Sequence, residues 1–325
     1  MHAIFLDYKT VDMDDLDLGS IKAFLPDIEV YSYSNEGEVL QRIAETEVAI
    51  ANKIEFNSEV FLHAKNLKLI CVTATGTNNI DLDAAEKAGV TVCNIRDYCT
   101  ESVTQHVLLS ILSLTHSYPD YLASIDNGEW QDGNSFSLLD HSISELSGKK
   151  LGIIGYGVLG KGVAKAAKLL GLDLLICESF ERSKKSEASL DRVGFGELLR
   201  SSDVISLHCP LTKETDGIFN DDAFEKMKSS AILINTARGG LVNNEALIKA
   251  IENKSIAGAG IDVLDQEPPS SDHPLMQKNY TNLIVTPHIA WAAREARQRA
   301  LDRIADNIKA FQKGKPINVV KPRAL

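Results

Sequence analysis

Short apolar runs alternate with amphipathic stretches along most of this chain, in two successive series. In the first hundred residues Ala3–Tyr8, Ile28–Tyr33, Val48–Asn52, Leu67–Thr73 and Val90–Asn94 have the length and β-rich composition of single strands. Glu36–Thr46 and Leu82–Ala88, lying between them, carry helical spacing and end near turn signals. Such strand–helix alternation predicts an α/β fold built on a mostly parallel, doubly wound sheet. From Glu101 to about Ile125 the apolar positions Val103, Val107, Leu108, Ile111, Leu112 and Leu114 predict one long helix, which Pro119 ends or kinks. Gln131–Lys150 has no clear period and is rich in Gly, Ser, Asp and Asn, so it reads as a loop.

The second series begins at Lys150. Leu151–Ile154, Leu174–Cys177, Val204–His208, Ala231–Asn235, Gly258–Val263 and Asn282–Thr286 read as strands. Helical stretches Leu159–Leu170, Phe195–Ser201, Asp221–Met227 and Asn244–Asn253 separate the early ones, and a charged amphipathic helix follows from about Ala292 to Phe311. No internal repeat is present. Two α/β units are therefore expected, and periodicity leaves their boundary open.

The length of 325 residues agrees with about two domains. Hydrophobic residues are 44% and charged residues 24%, which excludes a disordered or collagen-like chain. With 34 Lys+Arg against 45 Asp+Glu the formal charge is −11, so phosphate backbones and anionic lipid are repelled. Neither a nucleic acid nor a membrane is expected as partner, and no apolar run reaches the ~18–20 residues of a bilayer span. Cys71, Cys93, Cys99, Cys177 and Cys209 are scattered, odd in number and without a CxxC pair, and the amino-terminal residues resemble no export signal. A reducing cytoplasm is the expected location, and no metal site is expected.

The first chemical signal is Gly155-Tyr156-Gly157-Val158-Leu159-Gly160, where a strand runs into Gly-x-Gly-x-x-Gly and then a helix. Gly155 permits the tight turn, Gly157 lets backbone approach a pyrophosphate, and Gly160 lets helix and strand pack closely. The helix N-terminus offers unpaired N–H groups and the positive end of its dipole. Glu178 ends the next strand, 18 positions after Gly160, where a carboxylate accepts hydrogen bonds from an adenosine ribose. That carboxylate repels a 2′-phosphate and favours NAD. Arg182, Lys184 and Lys185 follow closely enough to accommodate the phosphate, which keeps NADP open.

Reduction of a ketone by a nicotinamide cofactor needs a proton donor, a cation that holds the substrate, and a group that tunes the donor. Arg238, Glu267 and His288 all follow strands of the second series, on the side where open α/β sheets bind ligands. Taken singly each has a plain structural reading: an Arg capping a turn before Gly-Gly, a solvated Glu before Pro-Pro, a structural His after Pro. Spacing alone does not show that they converge.

The chain resembles the D-isomer-specific 2-hydroxyacid dehydrogenases over nearly its whole length. The resemblance rests on the Gly155–Gly160 loop, His208-Cys209-Pro210-Leu211-Thr212, Asn235-Thr236-Ala237-Arg238-Gly239-Gly240, Gly260-Ile261-Asp262-Val263, Glu267-Pro268-Pro269 and Thr286-Pro287-His288-Ile289-Ala290, in that order. Asn52-Lys53, Gly76–Asp81, Ser102–His106 and Ile289–Gln298 bring it closest to the bacterial glycerate dehydrogenase and hydroxypyruvate reductase group.

By this resemblance Arg238 binds the substrate carboxylate and carbonyl oxygen, as a guanidinium fork does well. His288 is the acid/base, and Glu267 fixes its tautomer and favours imidazolium. The resemblance also implies cofactor contacts from the glycine loop, Glu178, His208, Cys209, Pro210, Thr215, Thr236, Ala237, Arg238, Asp262, His288 and Ala290, with Asp262 at the nicotinamide. Ala74, Thr75, Gly76 and Thr77 hold the substrate carboxylate, and Lys53 is a further substrate candidate. The implied architecture is a Rossmann-type cofactor domain, residues 99–288, inserted into a flavodoxin-like substrate domain of residues 1–98 and 289–325. Hinges are implied near Cys99 and Ile289. His106 and Trp130 are assigned to packing, and Trp291 either packs under the hinge or lines the substrate pocket.

The expected function is hydride transfer between NAD and a small 2-keto/D-2-hydroxy acid, with hydroxypyruvate/D-glycerate favoured and glyoxylate/glycolate related. The alternatives are a D-3-phosphoglycerate or D-lactate dehydrogenase, a phosphonate- or phosphite-type oxidation, and a non-catalytic NAD(H)-sensing protein. Thr73–Asn79 contains no cation, which counts against a phosphorylated substrate, and the short stretch after Phe311 is not expected to hold a regulatory domain. A homodimer paired through the 101–125 helix and the loop after it is expected.

Overall fold

The computed structural model describes residues 1–133, 135–180 and 191–322. The chain forms two compact units, one of Met1–Cys99 with Trp291–Leu325 and one of Thr100–Ala290.

In the first unit β1 (Ala3–Phe5), α1 (Gly19–Lys22), β2 (Glu29–Val30), α2 (Glu36–Ile43), β3 (Val48–Ala51), α3 (Ser58–His63), β4 (Leu69–Val72), α4 (Leu82–Lys87) and β5 (Thr91–Cys93) follow in order. The strands form one sheet in the order β2-β1-β3-β4-β5, every pair parallel. That is the flavodoxin-like order. β3 and β4 are buried at every position, as expected of parallel strands covered on both faces. Asn35, Asn57 and Asp81 cap α2, α3 and α4 with their side-chain oxygens. At α2 Glu38 returns the bond to the Asn35 N–H, closing a capping box.

The second unit opens with α5 (Thr100–Thr115), α6 (Tyr118–Asp126) and α7 (Glu129–Asp132). Then come β6 (Lys150–Ile154), α8 (Val158–Leu169), β7 (Asp173–Cys177), β8 (Arg192–Val193), α9 (Phe195–Ser201), β9 (Val204–Leu207), α10 (Asp221–Lys226), β10 (Ile232–Asn235), α11 (Asn244–Glu252), β11 (Gly258–Ile261) and β12 (Leu283–Val285). All seven strands are parallel, in the order β12-β11-β10-β9-β6-β7-β8. Strand order reverses at β6, which lies between β7 and β9. This is the classic dinucleotide-fold order with one strand added beyond β11, and its crevice opens at the carboxyl end of β6. α12 (Arg294–Gln312) returns to the first unit, where its Arg297 is buried and holds Asp15 through two 2.7 Å bonds.

Two expectations are corrected. The helix expected from Glu101 to Ile125 is broken: Ser117 takes a left-handed φ of 46° and its hydroxyl donates to the Ser142 carbonyl at 2.8 Å. Pro119 then lies in the first turn of α6, where its fixed φ and missing N–H cost nothing, so it starts a helix rather than ending one. Strand β8 was not foreseen, because two residues, one of them Arg192, carry no apolar run. Among the described residues no helix is long and apolar enough to cross a membrane.

Candidate active site

The turn from β6 into α8 is shaped by contacts that leave no room for side chains. Gly155 has φ +94°, and a Cβ there would lie 2.5 Å from the Cys209 nitrogen. A Cβ on Gly160 would lie 2.2 Å from the Gly155 carbonyl oxygen. Gly157 differs: among the described residues a Cβ there would meet no heavy atom within 4 Å, and no side chain caps the helix it begins. The first N–H groups of α8 therefore have no side-chain cap, and the positive end of the helix dipole lies behind them. Tyr156 lies beside Lys161, whose ammonium sits 5.8 Å from the ring centroid, and Val158 is half exposed in the first turn. Leu159 is partly buried.

Other predicted cofactor residues surround this turn in sequence neighbours of β7, β9 and β10. Glu178 is exposed just past β7, its N–H bonded to the Val193 carbonyl at 3.0 Å. Arg182, Lys184 and Lys185 lie outside the described residues. The His208 N–H bonds the Ile154 carbonyl at 2.7 Å, joining the end of β9 to the end of β6. Its Nε2 is 2.9 Å from Ser206 Oγ, while Nδ1 is buried without a partner among the described residues. Burial pushes this imidazole down to about 4, so it is neutral near pH 7. Thr236 Oγ1 is likewise buried and unpartnered. Cys209 is buried, which raises its thiol to about 11 and keeps it unreactive, and Pro210 is exposed.

Thr215 was expected to touch the cofactor. Its hydroxyl instead donates to the Pro210 carbonyl and accepts from the Thr212 N–H, both at 2.8 Å, so it braces its own loop. Open N–H groups at a helix start, a glycine with space above it and two orphaned buried polar atoms fit an anionic dinucleotide. Gly155–Gly160 would hold its pyrophosphate, Glu178 its ribose, and His208 and Thr236 have polar atoms to offer it.

Arg238 follows β10 and is half-buried. Its Nη1 bonds the Ala237 carbonyl at 2.6 Å, and among the described residues no carboxylate pairs with it. Asn235 shapes this turn, accepting from the Ala237 N–H at 3.0 Å and donating to the Arg238 carbonyl at 2.9 Å. The next residue, Gly239, presses on the loop after β11: a Cβ there would lie 2.0 Å from the Leu264 carbonyl carbon. That loop carries Glu267. One Glu267 oxygen accepts from the Leu264 N–H at 2.8 Å, and the other lies 2.6 Å from His288 Nδ1. The three predicted catalytic residues thus belong to one connected group at the carboxyl end of the sheet.

Asp262 is 2% exposed and directly follows β11. Its Oδ1 accepts from Thr286 Oγ1 at 2.6 Å and the Ile289 N–H at 2.9 Å, and its Oδ2 accepts from the Ala290 N–H at 2.9 Å. Most of the acceptor capacity expected for the nicotinamide is spent on the segment that bears His288. Ala237 and Ala290 are buried beside these turns.

In the first unit the loop after β4 is stapled from below. Thr75 Oγ1 donates to the Ile95 carbonyl at 2.9 Å, Asn94 Nδ2 to the Thr75 carbonyl at 2.7 Å, and the Ile95 N–H to the Ala74 carbonyl at 3.2 Å. The Thr75, Gly76 and Thr77 N–H groups make no hydrogen bond among the described residues. Lys53 is exposed, and its N–H donates to the buried Asp7 carboxylate at 2.6 Å. Burial raises the Asp7 carboxyl against the lowering effect of those N–H bonds. Trp291 packs edge-on against Tyr98, with ring centroids 6.4 Å apart.

Sequence reading missed several supports of this site. His106, expected only to pack, has Nε2 3.1 Å from Thr286 Oγ1. Trp130, also expected to pack, is 49% exposed and donates to the Phe136 carbonyl at 3.2 Å. His273 is buried with Nε2 2.9 Å from Asp265, which Asn244 also bonds at 2.7 Å, so the loop before Glu267 is anchored on α11. Nothing local in sequence marks these pairs.

Known proteins resemble this chain in sequence and in fold. Residues 108–290 match the family model described as D-isomer specific 2-hydroxyacid dehydrogenase, NAD binding domain. A glycerate dehydrogenase of Methylorubrum extorquens is 42% identical over 284 residues, covering 87% of this chain and 88% of that protein. A hydroxypyruvate reductase of Blautia hydrogenotrophica is 36% identical over 323 residues, covering 98% and 99%. Among solved structures, the D-lactate dehydrogenase of Aquifex aeolicus complexed with NAD and lactic acid superposes with a TM-score of 0.82 at 28% identity, covering 99% of this chain and 100% of that one. The chain belongs to the D-isomer-specific 2-hydroxyacid dehydrogenases, and NAD is its cofactor.

Proposed function

We propose that this NAD-dependent dehydrogenase interconverts hydroxypyruvate and D-glycerate, with glyoxylate/glycolate as a related pair, and that Arg238, Glu267 and His288 are its catalytic residues. The observation that carries the reading is the 2.6 Å His288–Glu267 pair, set in a loop tied to a half-buried guanidinium that has no carboxylate partner among the described residues. The likeness to a glycerate dehydrogenase and a hydroxypyruvate reductase supports this substrate.

NADH, when bound, would supply the hydride for the keto carbon. Arg238 takes the substrate carboxylate and carbonyl oxygen, neutralising charge that grows on the oxygen. Glu267 accepts from His288 Nδ1, which leaves Nε2 as the atom that gives its proton to the carbonyl oxygen. In oxidation the same nitrogen takes the proton back. The N–H groups of Thr75–Thr77 with Ala74, and the Lys53 ammonium, are the first unit's offer to a carboxylate, which makes that unit the substrate-binding one. Asp262 has acceptor capacity left at Oδ2 for the nicotinamide amide.

Glu178 favours NAD over NADP by repelling a 2′-phosphate. Pairing of two chains is proposed through α5, α6, α7 and the segment after it, where Leu109, Leu122, Trp130, Phe136, Leu139 and Ile143 are exposed, Phe136 at 97%. The cytoplasm is the proposed location, since all five cysteines are free thiols and buried. A rate matrix of hydroxypyruvate, glyoxylate, pyruvate and phosphohydroxypyruvate, each with NADH and NADPH, tests the reading. Hydroxypyruvate with NADH should give the highest kcat/KM. A higher value for phosphohydroxypyruvate or pyruvate would replace the substrate, and cofactor binding without turnover would make the protein a sensor.

A further inference from the structure

His288 sits at φ +55°, a left-handed conformation that residues with a Cβ seldom adopt and that surrounding bonds must hold. The holding residue is Asp262. Its carbonyl accepts from the His288 N–H at 2.8 Å, and its carboxylate takes the N–H groups of the next two residues, Ile289 and Ala290. Three consecutive backbone donors therefore converge on one buried residue.

The orientation of that carboxylate depends on Thr286, whose Oγ1 is 2.6 Å from Asp262 Oδ1. An ionised carboxylate only accepts, so the hydroxyl proton points to Asp262 and the hydroxyl oxygen is left to accept. The donor available to it is His106, from α5, with Nε2 3.1 Å away. This direction of bonding assigns the proton of a neutral His106 to Nε2. The same imidazole nitrogen is 3.6 Å from Asp262 Oδ1. One helical turn earlier, Ser102 Oγ donates to the Ala290 carbonyl at 2.7 Å, so α5 grips the His288 segment at two points.

We propose that His106 is a positioning residue for the acid/base His288, acting through Thr286 and the Asp262 carboxylate. The inference rests on the reading of His288 as the acid/base. A side chain that merely filled space would be replaceable by an apolar residue of similar volume; a hydrogen-bond donor would not. The two roles also differ in what they disturb. A misaimed His288 slows the proton step while the cofactor loop, remote in sequence and built on different strands, keeps its affinity.

The test compares H106L, H106Q, T286V, T286S and the H106L/T286V double variant with the wild-type enzyme and H288A. The readings are kcat and KM with hydroxypyruvate and NADH, NADH Kd by fluorescence, and Tm. H106L and T286V should each lower kcat roughly 10-fold with KM and NADH Kd changed less than about 2-fold, because misplacing a reacting group acts on the chemical step. The double variant should be no slower than the slower single, since both changes cut the same chain of bonds. H106Q, whose amide Nε2 is a donor, and T286S, which keeps the hydroxyl, should recover most of the rate. Wild-type kcat in H106L, additive losses in the double variant, or a glutamine no better than leucine would each overturn the proposal. If H106L does not fold, T286V against T286S decides in the same way. An active H288A would instead overturn the reading of His288, and an inactive H288A beside a fully active H106L would remove only the role of His106.

Discussion

The turn at Gly155–Gly160 and the cluster around His288 both lie at the carboxyl edge of the same seven-stranded sheet. The turn is six consecutive residues whose work is done by backbone N–H groups and by the absence of side chains. The cluster draws Arg238 from the end of β10, Asp262 and Glu267 from beyond β11, Thr286 and His288 from beyond β12, and His106 from α5. Its geometry is held by side-chain bonds between residues as far as 180 positions apart. A site made by local backbone shape is damaged by adding atoms; a site made by a long-range network is damaged by removing donors and acceptors.

Removal of the cation should have the largest effect among the following changes. Arg238→Gln should lower kcat/KM about 1,000-fold, and Arg238→Lys should recover little, because an ammonium cannot form the two-pronged bond to a carboxylate. NADH Kd measured on the same variants should stay near the wild-type value. A lysine enzyme as fast as the wild type would show that Arg238 acts as a point charge only.

Within the turn, two glycines separate folding from binding. Gly160→Ala places a Cβ against the Gly155 carbonyl oxygen and should destabilise the fold by ~2 kcal/mol or more, read by urea unfolding. Gly157→Ala meets nothing and keeps an ordinary backbone at φ −82°, so stability should change by less than about 0.5 kcal/mol. Its NADH Kd should nevertheless rise about 10-fold, because the methyl group intrudes on the approach of the pyrophosphate. Equal stability losses in the two variants would contradict the assignment of Gly157 to the ligand.

The remaining effect is a pH dependence expected at His208. Its folded-state value of about 4 lies below the usual 6.5 because of burial. The unfolded chain therefore binds more protons between these values. The neutral-state stabilisation is complete above pH 6.5 and is lost as pH falls towards 4, by at most about 3 kcal/mol. His208→Asn should flatten the dependence of unfolding free energy on pH in that window. A parallel curve would place the His208 imidazole in contact with water.

The same contrast explains what could be read from residue order. The strands that carry the site, such as β9 and β10, are mostly apolar runs buried at every position, and the glycine turn is contiguous, so both were legible. Glu178 was legible for the same reason, standing where a strand ends. Ser117 was not, since the apolar stripe continues past it and the carbonyl that bonds its hydroxyl, at Ser142, lies 25 residues away. His106 lies on α5 among apolar neighbours at helical spacing, a core-like pattern, and its partner Thr286 lies 180 residues away in sequence. Arg238, Glu267 and His288 were visible as residue types after strands, but their connection runs through Gly239, Leu264 and Asp262 and exists only in the folded chain.

The most direct test of the central claim is single-turnover oxidation of bound NADH by hydroxypyruvate in the wild-type enzyme and in His288→Ala, with NADH Kd measured on both. Full NADH affinity with the hydride-transfer rate lowered by about 100-fold or more is the predicted result, as expected for loss of a positioned proton donor. A His288→Ala enzyme that oxidises bound NADH at close to the wild-type rate would contradict it.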